Sequence, residues 1–183
     1  MKLQDDICTV EISEDTTYTV NSADNKPYDL VINTLQFKPK YEYKALSIRI
    51  DLFYKTISVV LIGSFYSYVE DCAVLENEVL TILQGEAIVR IDVNTGALLE
   101  FKELGDLDIN FAIYKVTCGY VIYGEQKISM LDKDLNRQWS FWGRDIFVSI
   151  SGKKPFELCE NSIKLYDFSD NFYEIDFTGK QIG

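Results

Sequence analysis

Ile88-Val89-Arg90-Ile91-Asp92-Val93-Asn94-Thr95-Gly96, followed by Ala97-Leu98-Leu99-Glu100-Phe101, is the stretch on which the fold turns. A short apolar run closes on an aspartate. Asp and Asn side chains bond their own backbone in turns, and Gly takes a positive φ without steric cost. A second apolar run follows. Strand, aspartate-led turn and strand together predict a β-hairpin.

The same ending recurs along the chain. Ser47-Ile48-Arg49-Ile50-Asp51, Ile128-Ser129-Met130-Leu131-Asp132 and Phe172-Tyr173-Glu174-Ile175-Asp176 repeat it, and the four aspartates lie 41, 40 and 44 residues apart. Asp176-Phe177-Thr178-Gly179-Lys180 carries the same turn residues, and Asp132-Lys133-Asp134-Leu135-Asn136 offers Asn136 in place of Gly. The agreement continues upstream: Gly85-Glu86 and Gly124-Glu125 precede their aspartates and follow the apolar runs Val79-Leu80-Thr81-Ile82-Leu83 and Tyr120-Val121-Ile122-Tyr123. Each unit therefore holds at least three strands joined by short turns.

Two copies are less regular. Asp51-Leu52-Phe53-Tyr54-Lys55 contains no glycine, and Ser162-Ile163-Lys164-Leu165-Tyr166-Asp167 matches the pattern as well as Asp176 does. Both Asp167 and Asp176 stand open as the last unit's marker. One stretch also supports a helix, because Phe65, Val69, Cys72, Leu75, Val79 and Ile82 fall three and four residues apart and Gly85 offers a cap. The expected organisation is one β-repeat domain over 1–183, with poorly matching N-terminal strands at 1–44 and repeat units at 45–183.

A unit of about 40 residues made of short strands points to radial repetition. The residues Asp92, Thr95 and Gly96, then Asp132 with Trp139, then Asp176 with Thr178 and Gly179, resemble the quinoprotein-like (PQQ-like) β-propeller repeat. In that repeat a strand ends in Asp, followed by Thr-Gly and an aromatic-bearing strand. The resemblance implies an all-β, antiparallel, propeller-like array of about four blade-like units. A closed small ring, an open arc and a half-ring completed by a second chain all fit that length. No residues matching those that hold the quinone or its calcium are found, so no cofactor is carried over.

Composition narrows function. Eighteen basic residues against 29 acids give a net charge of −11. Such a field repels phosphate backbones and anionic lipid surfaces and favours cationic partners, so neither nucleic acid nor membrane is expected. Histidine is absent, which removes the commonest general base and zinc ligand. Cys8, Cys72, Cys118 and Cys159 form no C-x-x-C pair and are expected to be reduced and mostly buried. Met1-Lys2-Leu3-Gln4-Asp5-Asp6 has no basic region followed by an apolar stretch, and the longest apolar run, 57–63, falls far short of a membrane span. A cytoplasmic location is the expectation.

Candidate sites are few. Asp51, Asp92, Asp132 and Asp176 are read as structural turn residues with Thr95, Gly96 and Gly179, rather than as cation ligands, since each aspartate has local backbone donors to bind. Asp106/Asp108 and Glu76/Glu78 pair carboxylates in sequence, which does not establish the separation that acid–base work requires. Trp142 and Arg144 are the candidate interaction residues: alternation places Trp139 and Phe141 on one face and Trp142 on the other, and Trp and Arg are enriched at binding hot spots. The expected function is a non-catalytic protein-interaction or scaffold module with an acidic surface, and no enzyme. An immunity-type inhibitor of a basic toxin, or a small-molecule or metal-binding propeller domain, are the alternatives.

Overall fold

The structure, a computed structural model, describes residues 1–36, 38, 42–64, 69–105 and 109–183. The described residues are strands and turns, apart from a single 3-10 turn at Val69–Asp71. They divide into two compact units, Met1–Asp106 and Leu107–Gly183.

The first unit holds two sheets. Sheet one is built from β1 (Lys2–Gln4), β2 (Cys8–Glu14), β3 (Leu30–Ile32), β4 (Lys44–Leu52) and β5 (Thr56–Gly63), in the order β1-β2-β4-β5-β3. Its first four members form an antiparallel meander, and β3 joins the far edge parallel to β5. Alternation decides which face is core: Leu46, Ile48, Ile50 and Leu52 are buried along β4 while Arg49 is exposed. β5 is apolar on both faces, with Ile57, Val59 and Leu61 in one core cluster and Val60 and Ile62 in a second, under Tyr18, Tyr28 and Tyr43.

Sheet two is the meander β6 (Ala73–Glu76), β7 (Val79–Gln84), β8 (Ala87–Asp92) and β9 (Leu98–Glu103). Its Leu80, Ile82, Val89 and Ile91 share one core with Val10, Ile12, Ile48, Ile50 and Leu61 of sheet one. Gln84, fully buried, joins the two sheets by donating its side-chain amide to the Ile62 carbonyl.

These strands overturn the helical reading of 65–85 for its described part. Residues 65–68 lie outside the described residues, but 73–76 and 79–84 are strands. Asn77 and Glu78, at φ 50° and 65°, form a two-residue turn that reverses the chain. An apolar run buried on both faces has no visible period of two, so helix-like spacings within it arise by coincidence.

The second unit contains sheet three, β10 (Asn110–Val116), β11 (Gly119–Gly124), β12 (Lys127–Leu131) and β13 (Arg137–Trp142), again a meander. Sheet four has β14 (Phe156–Leu158), β15 (Ser162–Tyr166) and β16 (Phe172–Asp176), with an antiparallel bridge from Ile175 to Gln181 beginning a further pairing. Their shared core is aromatic-rich: Phe147, Phe156 and Tyr173 pack with Val121, Ile128, Ile163 and Ile175. Tyr114 and Tyr123 stack on Phe156 with ring centroids 5.0 and 4.8 Å away.

Candidate functional site

Three of the four marker aspartates occupy one topological place. Asp92 closes β8, Asp132 follows β12 and Asp176 closes β16, each the third strand of its sheet. Asp167 follows the second strand, β15, so sheet topology assigns the last marker to Asp176. The ladders from β8 to β9 and from β12 to β13 both shift register just before the aspartate, between Arg90 and Ile91 and between Met130 and Leu131.

The turns themselves are local devices. After Asp132 the backbone forms a three-residue loop: Leu135 N–H donates to Asp132 O (3.0 Å), Asp132 N–H to Asn136 O (2.9 Å), and the Asp132 carboxylate accepts the N–H groups of Asp134 (2.9 Å) and Asn136 (2.8 Å). The Asp176 turn repeats this, its carboxylate accepting from Thr178 N–H (2.9 Å), Thr178 hydroxyl (2.6 Å) and Lys180 N–H (3.1 Å). These bonds, the Thr178 hydroxyl first, hold the Asp176 carboxyl below the usual carboxylate range. The Asp92 turn is one residue longer: Gly96 N–H donates to Asp92 O (2.7 Å), Asp92 N–H to Ala97 O (3.0 Å) and Asn94 N–H to the carboxylate (2.7 Å). Thr95 Oγ1 accepts the Ala97 N–H at 3.2 Å.

Two expectations are corrected here. The residue standing in for glycine after Asp132 is Leu135, at φ 59°, not Asn136. Its side chain is buried, and packing compensates for a conformation that costs an L-residue about 1–2 kcal/mol. Asp51 is no turn cap either: it lies inside β4 opposite Thr56, whose hydroxyl it accepts at 2.7 Å, and it pairs with Arg49 Nε at 3.0 Å. The hairpin there is a tighter one, closed by Leu52 N–H on Lys55 O.

The left-handed glycines of the Asp92 and Asp176 turns have a second role. A Cβ built on Gly96 would meet Leu30 Cδ1 at 2.7 Å and Ile57 Cγ2 at 2.9 Å, so this turn of sheet two rests on sheet one. Gly179 of sheet four rests in the same way on Trp139 of sheet three, whose indole N–H donates to Phe177 O at 3.0 Å. Within each unit, then, a turn of one sheet docks its glycine on the sheet before it.

Trp142 ends β13 and is 60% exposed, while Trp139 and Phe141 face the core. Lys127, its cross-strand partner, holds its ammonium 5.9 Å from the Trp142 ring centroid. Arg144 is exposed, with its backbone N–H donating to Tyr173 Oη at 2.9 Å. Glu78 accepts from Asn94 Nδ2 at 2.9 Å. Asp106 and Asp108 lie outside the described residues. Of the cysteines, Cys8 and Cys72 are buried, Cys159 is half-buried and Cys118 is exposed, so the expected burial holds for only part of the set.

Sequence reading missed one feature. Residues 30–34 and 96–98 line an open, mainly apolar groove of about 310 Å³ between β3 and the start of β9. Both are the outermost strands of their sheets. Leu30-Val31-Ile32 is too short to announce itself as a strand, and only its pairing with β5 makes it one. The groove lies in the acidic part of the chain: residues 1–106 hold 18 acids against 9 basic residues, a net of −9, whereas 107–183 hold 11 against 9, a net of −2.

Among the described residues no cluster of three or more His, Cys, Asp or Glu is placed to hold a metal ion, and no helix is long and apolar enough to cross a membrane. No protein-family model and no curated protein matches the chain. Among solved structures, the crystal structure of the computationally designed Ika8 protein is similar, with a TM-score of 0.53 and 11% identity over 81% of this chain and 46% of that one. The chain thus spans about half the length of that structure, and the likeness speaks for the fold alone.

Proposed function

We propose that this chain is a non-catalytic protein-interaction module whose first unit captures a cationic protein. The observation that carries the reading is the coincidence of two properties in one unit: nearly the whole net charge, −9 of −11, and an open apolar groove at two sheet edges. Charge supplies steering and rejects anionic competitors, while apolar contact supplies holding. Trp142, exposed beside Lys127, is a further anchor of the kind found at binding hot spots.

The architecture that presents these surfaces is, on the same proposal, a propeller-like array of blade-like sheets akin to the quinoprotein-like repeat. Its support is the repeated docking of Gly96 and Gly179 on the preceding sheet and the shared turn geometry after Asp132 and Asp176.

The test is native mass spectrometry of the purified chain after incubation with cell extract at 50 and 500 mM salt. A basic protein retained at low salt and released at high salt supports the reading. A bare monomer at both salt concentrations overturns it. An immunity-type inhibitor of a basic toxin is a narrower form of the same reading, favoured by the concentration of charge in one unit. It requires an association rate that falls steeply with salt.

A further inference from the structure

We propose that the outer edge of β3, with the groove beside it, takes an extended, lysine- or arginine-flanked segment of a partner protein as an added strand. The inference rests on the protein-binding reading above and specifies what is recognised.

The backbone provides the first argument. The β4–β5 hairpin closes with Leu52 N–H on Lys55 O, so in the β4–β5 register Ile57, Val59 and Leu61 turn their main-chain groups to β4 and Ser58 turns its own towards β3. Successive residues of a strand alternate in direction, so Val60 also faces β3, and its partners there are Leu30 and Ile32. The N–H and C=O of Val31 consequently point away from the sheet. Among the described residues β3 pairs with no strand but β5. An unpaired edge of this kind is a template for a further strand.

Side chains provide the second argument. Val31, 57% exposed, and Leu98, 43% exposed, are both among the residues that line the groove. Gly96, without a side chain, packs directly on Leu30, Ile57 and Val59, which brings the start of β9 close to sheet one. A strand paired with Val31 would lay alternate side chains along this apolar floor.

Charge selects the occupant. The unit carries −9, and Asp29, just before β3, is exposed. A second copy of the chain would bring a second field of the same sign to the edge, whereas a basic segment is drawn to it.

The experiment is fluorescence anisotropy of the full chain with a labelled ten-residue peptide of alternating valine and threonine carrying two lysines at each end. Three comparison peptides are used: glutamate-ended, and lysine-ended with a central amide N-methylated on either register. Saturable binding of the lysine peptide is expected, weakened at least tenfold by Val31→Lys, by Leu98→Lys and by N-methylation in one register, and lost with glutamate ends. Circular dichroism of the two variants confirms that they fold. Equal binding of all three lysine-ended peptides, or indifference to both substitutions, reduces the effect to bulk charge and overturns strand addition. Dimerisation of the free chain that Val31→Lys abolishes also overturns it, by placing a second copy there. If the lysine peptide does not bind while the chain still retains a basic protein from extract, this edge is wrong and the broader reading survives.

Discussion

Gly179 and Trp139 share one volume: a Cβ added at Gly179 would lie 2.8 Å from two atoms of the Trp139 indole. The glycine is also left-handed, at φ 84°. Gly152 has the same φ with nothing within 4 Å of its added Cβ, so the pair separates conformational from packing cost. Gly152→Ala is expected to lose about 1 kcal/mol, the backbone term alone. Gly179→Ala should lose a further 1–3 kcal/mol or so as the indole is displaced. Urea midpoints at unchanged slope measure both; equal losses would show that the docking contributes nothing.

A buried amide joins the two sheets of the first unit. Gln84 donates to Ile62 O and lies where a Cβ on Gly63 would go, 2.0 Å from Gln84 Nε2. Gly63→Ala is expected to cost about 1–3 kcal/mol by overpacking, and Gln84→Ala about 2–4 kcal/mol through the vacated space and the orphaned carbonyl. Because the second substitution removes the clash created by the first, the double variant should be less destabilised than the sum, by roughly 1 kcal/mol or more. Additive losses in a double-mutant cycle contradict the contact.

Acid should loosen the second unit through Asp167. Its fully buried carboxylate accepts the Tyr173 hydroxyl at 2.7 Å and the Asn171 N–H at 2.9 Å. Burial alone would raise its pKa, but these hydrogen bonds outweigh burial and the net shift is downward. A carboxyl lowered on folding stabilises above its ordinary value near 3.9 and loses that contribution as pH falls through the lowered one. Melting temperatures of the parent and Asp167→Asn are therefore expected to differ most at pH 6, and the difference to shrink as pH falls below the ordinary carboxyl range. A constant gap from pH 6 to pH 2 assigns the acid sensitivity elsewhere.

The cysteines should separate by reactivity. Desolvation pushes the Cys8 and Cys72 thiols up to about 11, leaving roughly one molecule in a thousand as thiolate at pH 8. Cys118, exposed at the β10–β11 turn, is expected to be alkylated first by iodoacetamide in the native state. Cys8 and Cys72 should react only after urea unfolding. Peptide mapping that finds native-state labelling of Cys72 ahead of Cys118 contradicts this placement.

Strand identity and turn chemistry were legible in the residues because both are short-range. Alternation along Ser47-Ile48-Arg49-Ile50, and an aspartate able to bond its own turn after Ile91, Leu131 and Ile175, act over a handful of neighbouring residues. Where the physics was non-local, local reading failed or stayed undecided. Asp167 and Asp176 lead turns of the same backbone pattern, so only the pairing of β15 and β16 separates them. Leu135 takes the left-handed conformation in place of Asn136 because its side chain is buried, and no turn propensity encodes that.

The groove is the clearest case. Nothing in Leu30-Val31-Ile32 or in Gly96-Ala97-Leu98 points to the other, since they are more than 60 residues apart. The all-β character, the hairpin turns and the acidity belong to the chain as written, because backbone preference and ionic charge need no partner. Which edge is left open, and which apolar side chains flank it, depended on how the sheets close on one another. Burial and strand order are properties of the assembled fold, where contacts between distant residues outweigh local preference.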